Sequence, residues 1–154
     1  MTIVATFTLS TEQKSAILEL WNHEYPAAIS YASLTDFDSY LGKLDDNQHL
    51  LLIDGPDKIN GWAFSFVRNS EVCFAIILHE SIHGKGYGTM LLNDLKIKNK
   101  VLNRWVVDHD KSIKQDGSVY RSPLGFYLKN GFTTQPDVRI ESDTLSAVKI
   151  AWRR

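Results

Sequence analysis

The spacing of hydrophobic positions changes several times along the chain, and each change marks an element. Thr2 to Phe7 alternates as a strand does, after which Ile17, Leu20 and Trp21 recur at helical spacing behind Ser10. Gln13, three positions after Ser10, completes a capping box, and the helix must end before Pro26. A second helix is expected from Thr35, with Asp38 making the same box and Phe37, Tyr40, Leu41 and Leu44 forming its apolar face. Three strand patterns follow in quick succession: His49 to Asp54, Gly61 to Arg68 and Glu71 to Leu78. They are joined by DGPDKIN and by a tight turn at Asn69 and Ser70, connections short enough to predict an antiparallel meander. The third contains CFAIIL, apolar at every position, as expected of a central strand covered on both faces.

Beyond a glycine-rich loop the pattern predicts a helix to about Lys98, then NRWVVD as a strand and a polar loop to Arg121. A short helix comes next: Ser122 is placed to cap it, Pro123 suits its first position and Gly131 its left-handed exit. Leu124, Tyr127 and Leu128 would share one of its faces. Two strands, around Thr133 to Ile140 and Leu145 to Trp152, finish an α/β chain of the α+β type.

Composition narrows the picture. With 154 residues and 44% hydrophobic content the chain builds one ordinary core, and a single domain over 1–154 is expected. Seventeen Lys and Arg against eighteen Asp and Glu give a net charge of -1, which argues against a nucleic-acid partner. No segment approaches the roughly 20 apolar residues that span a bilayer, and MTIVATFTLSTEQK lacks the charged and apolar blocks of a signal peptide, so no membrane role is expected. The lone cysteine, Cys73, lies in an apolar run; it forms no intrachain disulfide and suits a buried, inert thiol in the cytoplasm.

Gly84, Gly86 and Gly88 sit between a buried strand and a helix, where successive backbone N–H groups face one concavity at the positive end of the helix dipole. Such a concavity can bind phosphate, with Lys85 adding a cation; the alternative is a glycine-rich turn that merely lets strand and helix approach closely. A P-loop is excluded: no glycine lies five before Gly84, and Lys85 is followed by glycine where Ser or Thr is needed. A dinucleotide loop requires its third glycine at 89, which is Thr89, although Asp108 stands where the ribose-binding acid would fall.

HGKGYG, His83 to Gly88, resembles the Q/R-x-x-G-x-G/A pyrophosphate loop of the GNAT superfamily of acyl-CoA-dependent N-acetyltransferases, and FYLKNGF, Phe126 to Phe132, resembles that family's Y-x-x-x-G-F segment. The likeness covers roughly residues 48 to 152, with His83 where Gln or Arg is usual and YRSP at 120 to 123 where an Asn is common. It implies a mixed, mostly antiparallel sheet with helices on both faces, and acetyl-CoA in a groove where the central strands splay. The residues implied to hold that acyl donor are Ile76, Ile77, Leu78, His83, Gly84, Lys85, Gly86, Tyr87, Gly88, Thr89 and Tyr127, without any metal. The reaction implied is direct acetyl transfer to a primary amine of a small-molecule or peptide acceptor. Tyr127 would be its general acid, and backbone amides at Leu78 or its neighbours would polarise the thioester carbonyl. By periodicity alone Tyr127 is equally a core aromatic.

Glu80, His79, Asp108, His109 and Glu24 are the candidates for a base, with water as the alternative, while His23 and His49 show no spacing suited to a zinc site. Acceptor specificity is expected from Asn22 to Leu34 and Asp108 to Ser122, with Tyr25, Tyr31 and Tyr120 either lining a pocket or covering core. A non-catalytic acyl-CoA-binding module and, further off, a dinucleotide-binding protein are the competing functions, and a homodimer through the final strands stays open.

Overall fold

The computed structural model describes residues 1–154. Seven strands form one sheet in the order β1-β2-β3-β4-β5-β7-β6. They are β1 (Thr2–Thr6), β2 (Asp45–Asp54), β3 (Lys58–Arg68), β4 (Glu71–Leu78), β5 (Val101–Val107), β6 (Thr133–Glu141) and β7 (Ser146–Arg153). Every neighbouring pair is antiparallel except β4 and β5, which run parallel and share a single backbone pairing, Cys73 with Asn103. Past that pair the two strands part, and side chains replace the ladder: Asn103 Nδ2 donates to the Val72 carbonyl at 3.1 Å. The expected mixed, mostly antiparallel sheet with β4 at its centre is what forms.

Four α-helices cover the two faces: α1 (Thr11–Glu24) and α2 (Leu34–Gly42) on one, α3 (Tyr87–Lys98) and α4 (Leu124–Lys129) on the other. Because side chains alternate along a strand, β4 divides its apolar run between two cores. Cys73, Ala75 and Ile77 pack with Ile17, Trp21 and Phe37, whereas Phe74 packs with Leu91, Leu95 and Tyr127 on the other side, joined by Ile76 and Leu78. No helix is long and apolar enough to cross a membrane.

Local chemistry explains the ends of most elements. Ser10 and Gln13 make the reciprocal capping box of α1, and Asn69 and Ser70 take φ of 52° and 63° in the turn between β3 and β4. The second helix corrects the expectation: its cap is Ser33, whose hydroxyl accepts the Asp36 N–H at 3.2 Å, so Thr35 lies inside the helix. Asp38 instead pairs with Lys14 of α1 at 2.6 Å. β2 also starts four residues earlier than expected, through an irregular register between Asp45 and Gln48. Leu128 is exposed, and Phe126 takes the core-facing place expected of it.

One buried polar contact matters for stability. His49 and Trp62, on neighbouring strands, are both sealed from solvent, and the Trp62 indole N–H donates to His49 Nδ1 at 3.1 Å. Burial, followed by the charge of Lys14, lowers the imidazole pKa to about 4, so the ring is neutral and acts as an acceptor.

Candidate functional site

The loop after β4 bends through a single 3-10 turn, Glu80–Ile82, and enters α3 at Tyr87. Gly84 and Gly86 hold φ of 74° and 88°, where a side chain is strained, and a Cβ on either would point into open space. Gly88 has a different reason: inside the helix, its Cβ would lie 3.2 Å from the Phe126 ring and 3.5 Å from Leu78. So two glycines shape the loop and the third lets α3 approach α4. The backbone N–H groups from Gly84 through Thr89 have no acceptor in the protein. Six amides left free at a helix N-terminus make an anion cradle, and the room in front of Gly84 and Gly86 suits a pyrophosphate.

This cradle opens into a cavity of about 520 Å³ between β4, α3 and α4. Ile76 and Leu78 form its floor, and His83, Gly84 and Gly86 one end. Tyr87, Gly88, Thr89 and Tyr127 complete nine of the eleven expected residues. Of the other two, Ile77 is displaced and Lys85 contributes to the cradle only its backbone amide. Ile77 faces the opposite core because β4 alternates, and Lys85 is exposed and lines no wall of the cavity. Pro123 and Phe126 line the groove although periodicity gave them no role in it. His83 Nε2 lies 2.8 Å from the Leu78 carbonyl; since that oxygen only accepts, Nε2 carries a hydrogen and donates it.

Tyr127 stands where this groove meets the split between β4 and β5. It is buried, its hydroxyl has no partner in the protein, and burial pushes its pKa up to about 12 against an opposing pull from Arg104. Tyr127 packs edge-on against Phe74 and Phe132, and the Arg104 guanidinium lies 5.7 Å from its ring centre. The ring belongs to the core, as its helical spacing suggested, but its hydroxyl is not satisfied by any group of the protein. On the α1 side of the split a second, mainly apolar cavity of about 220 Å³ is lined by Tyr25, Tyr120, Trp21, Tyr40 and Arg104. Tyr31 does not reach it and packs against Trp21 and Phe37. Cys73 does line it, with a thiol whose pKa burial raises, which keeps it protonated.

The two segments expected to set acceptor specificity meet beside this second cavity. Ala27 N donates to the Ile113 carbonyl at 2.8 Å, and Gln115 Nε2 to Ser30 Oγ at 2.9 Å. Of the five base candidates, Asp108 is bound by two hydrogen bonds to Arg139, at 2.8 and 3.1 Å, which hold its carboxyl below the usual range. That bond also leaves it without the free carboxylate a ribose would need. His109 Nδ1 accepts the Lys111 N–H inside its own turn. Glu24, His79 and Glu80 are gathered at the end of β4: Glu24, nearly buried, takes the Glu80 N–H at 2.9 Å and lies 3.6 Å from Lys114 Nζ. Sequence spacing gave His23 no neighbours, yet its ring stacks on His79 at 5.5 Å, and the donor atoms of His23, Glu24 and His79 lie within 4.8 Å of one another. None of the five lines either cavity; Pro123 is the residue that the two share.

No protein-family model matches the sequence, and no curated protein is significantly similar to it. Solved structures do share its fold over the whole chain. An aminoglycoside 6'-N-acetyltransferase complexed with coenzyme A superposes with a TM-score of 0.71 at 15% identity, covering 99% of this chain and 97% of its own. A GNAT-superfamily phosphinothricin acetyltransferase from Sinorhizobium meliloti in complex with acetyl-CoA gives 0.69 at 13% identity, covering 99% and 89%. A ribosomal-protein-alanine N-acetyltransferase from Brucella melitensis gives 0.69 at 14% identity, with 100% of both chains covered.

Proposed function

We propose that this chain, which has the fold of the GNAT acetyltransferases, is an acyl-CoA-dependent N-acetyltransferase that uses acetyl-CoA as donor. One observation carries the proposal: six unpaired loop amides at the start of α3 open into a groove that ends at an unengaged tyrosine hydroxyl between parting strands. The neighbours bound to coenzyme A or acetyl-CoA support the choice of donor. The amides from Gly84 to Thr89 would hold the pyrophosphate, and Ile76, Leu78 and Phe126 the apolar run of the pantetheine arm. Acetyl-CoA supplies an acyl group activated as a thioester, whose transfer to an amine releases a thiol.

At neutral pH the Tyr127 hydroxyl keeps its proton. With a pKa near 12 against about 8.5 for a thiol, complete transfer to the departing sulfur is uphill by roughly 4 to 5 kcal/mol. Its contribution is therefore a hydrogen bond to sulfur as negative charge develops there, and solvent supplies the proton in the end. We assign removal of the acceptor's ammonium proton to water, because none of the five candidate bases lines either cavity. A buried free thiol at Cys73 suits a reducing cytoplasm.

Thermal unfolding with acetyl-CoA, CoA, NAD and ATP tests the reading. A ligand at about 100 times its Kd adds roughly 2.7 kcal/mol, which raises the midpoint of a chain this size by about 5 to 10 °C. The expected shift is confined to the CoA species. A shift with NAD alone, or none, overturns it.

A further inference from the structure

Arg104 carries a charge for which the protein provides no counter-charge. Nη2 donates to the Tyr25 hydroxyl at 3.0 Å, Nη1 makes a long 3.5 Å contact with the Phe74 carbonyl, and Nε is shielded from solvent without any partner. No carboxylate lies within ion-pair distance; on the sheet Lys149 pairs with Glu71 and Arg139 with Asp108, while Arg68, at the end of β3 and lining the same cavity, is matched only by the Phe66 ring. The guanidinium carbon sits 5.7 to 5.9 Å from the ring centres of Tyr25, Phe74 and Tyr127. Aromatic faces favour a cation there without neutralising it. A guanidinium keeps its proton at any relevant pH, and an unpaired charge among apolar groups is destabilising. The two hydrogen bonds would be served as well by an amide, so the charge is answered only by the aromatic faces and by whatever anion enters the cavity.

We infer that the acceptor is an amino acid with an apolar side chain, and that Arg104 holds its carboxylate in the second cavity. The inference rests on the acetyltransferase reading. The donor's pyrophosphate is already provided for by the loop amides, and Arg104 lines the other cavity. That cavity, about 220 Å³, is smaller than sites for drug-sized ligands and is lined mainly by apolar and aromatic side chains. A carboxylate matches the planar fork of a guanidinium, and an α-amine follows two bonds away. With Arg104 beside the Tyr127 ring, the bound amino acid presents its amine at the split and its side chain to Trp21, Tyr25 and Tyr120. The carboxylate is unchanged in the reaction: the C–N bond forms as the C–S bond breaks, the amine loses a proton to water, and the thiolate takes one from solvent.

The experiment pairs leucine, phenylalanine and tryptophan with the amines that lack only the carboxylate, and compares the wild type with Arg104→Met and Arg104→Lys. Wild type is expected to favour the amino acids by 100-fold or more in kcat/KM; Arg104→Met should lose that preference with its acetyl-CoA stabilisation intact, and Arg104→Lys should regain part of it. Titration of the wild type with CoA plus N-acetylphenylalanine or N-acetylphenethylamine requires neither turnover nor a folded variant, and the acid is expected to bind at least tenfold tighter. Equal use of both amines, equal or absent binding of the two products, or an Arg104→Met loss that is the same for every acceptor overturns the inference. Those results leave the acetyltransferase reading standing as long as acetyl-CoA binds. Loss of acetyl-CoA binding in the wild type overturns both.

Discussion

The Tyr127 hydroxyl has no bond to give up, so its removal should affect chemistry and little else. Tyr127→Phe keeps the ring that packs on Phe74 and Phe132, and is expected to lower kcat roughly 100-fold while the KM for acetyl-CoA stays within about twofold. Steady-state kinetics decide it, and unchanged turnover removes Tyr127 from the mechanism. His49 makes a prediction about pH. Its pKa is about 4 when folded and near 6.5 when unfolded, so between those values the unfolded chain takes up a proton that the native state refuses. Stability is therefore full above about pH 6.5 and declines as pH falls to about 4, by on the order of 3 kcal/mol. Urea unfolding at pH 7 and pH 4.5 should show a smaller difference for His49→Gln than for the wild type; identical differences would place the acid sensitivity elsewhere. Little of this pairing is visible in sequence, because His49 and Trp62 meet only through the register of β2 on β3. Arg104 did leave a trace: a lone cation inside NRWVVD is out of place in a buried strand.

At the scale of elements, success and failure separate by the range of the forces involved. The capping box at Ser10 was legible because its partners lie three residues apart and nothing nearby competes. Before α2 two equivalent signals overlap, Ser33 with Asp36 and Thr35 with Asp38, and tertiary contact chooses between them by drawing Asp38 to Lys14. The alternation of β4 sends Ile77 to the far core, a consequence that an all-apolar run conceals until the neighbours of each face are known. The glycine loop was legible as a cradle, yet its three glycines do two jobs. Gly86→Val, forced to a φ of 88°, is expected to cost about 1 to 2 kcal/mol of stability and to abolish the thermal shift with acetyl-CoA. A retained shift would mean that the loop is a turn and no more.

Across the whole molecule, the order of β2, β3 and β4 followed from short connections and from the all-apolar strand, and the structure bears out that meander and the central place of β4. The gathering of Glu24, His79 and Glu80, and the docking of Ala27 to Ile113, bring together residues more than fifty positions apart, which no local pattern encodes. Asp108 shows the same effect in reverse, since its spacing suited a ligand while the fold ties it to Arg139 on β6. Asp108→Ala should consequently leave kcat at pH 7 unchanged and lower the unfolding midpoint by about 2 to 4 °C, as expected for a partly exposed ion pair worth up to about 1 kcal/mol. A large fall in kcat would return it to the list of bases.

The seam between β4 and β5 sets how the sheet comes apart. One backbone pair, Cys73 with Asn103, joins a four-stranded half to a three-stranded half, while every other boundary has at least five. Two such halves can behave as separate foldons, opening at different free energies. Amides of residues 74 to 78 and 104 to 107 are therefore expected to exchange with deuterium at unequal rates in the free protein, each following its own half. A ligand lying in the groove would bridge β4 to α4, the helix that joins β5 to β6, so the two rates should converge when acetyl-CoA is added. On this account acetyl-CoA would also be a fastening across the seam, and without it each half-sheet is expected to open at its own rate.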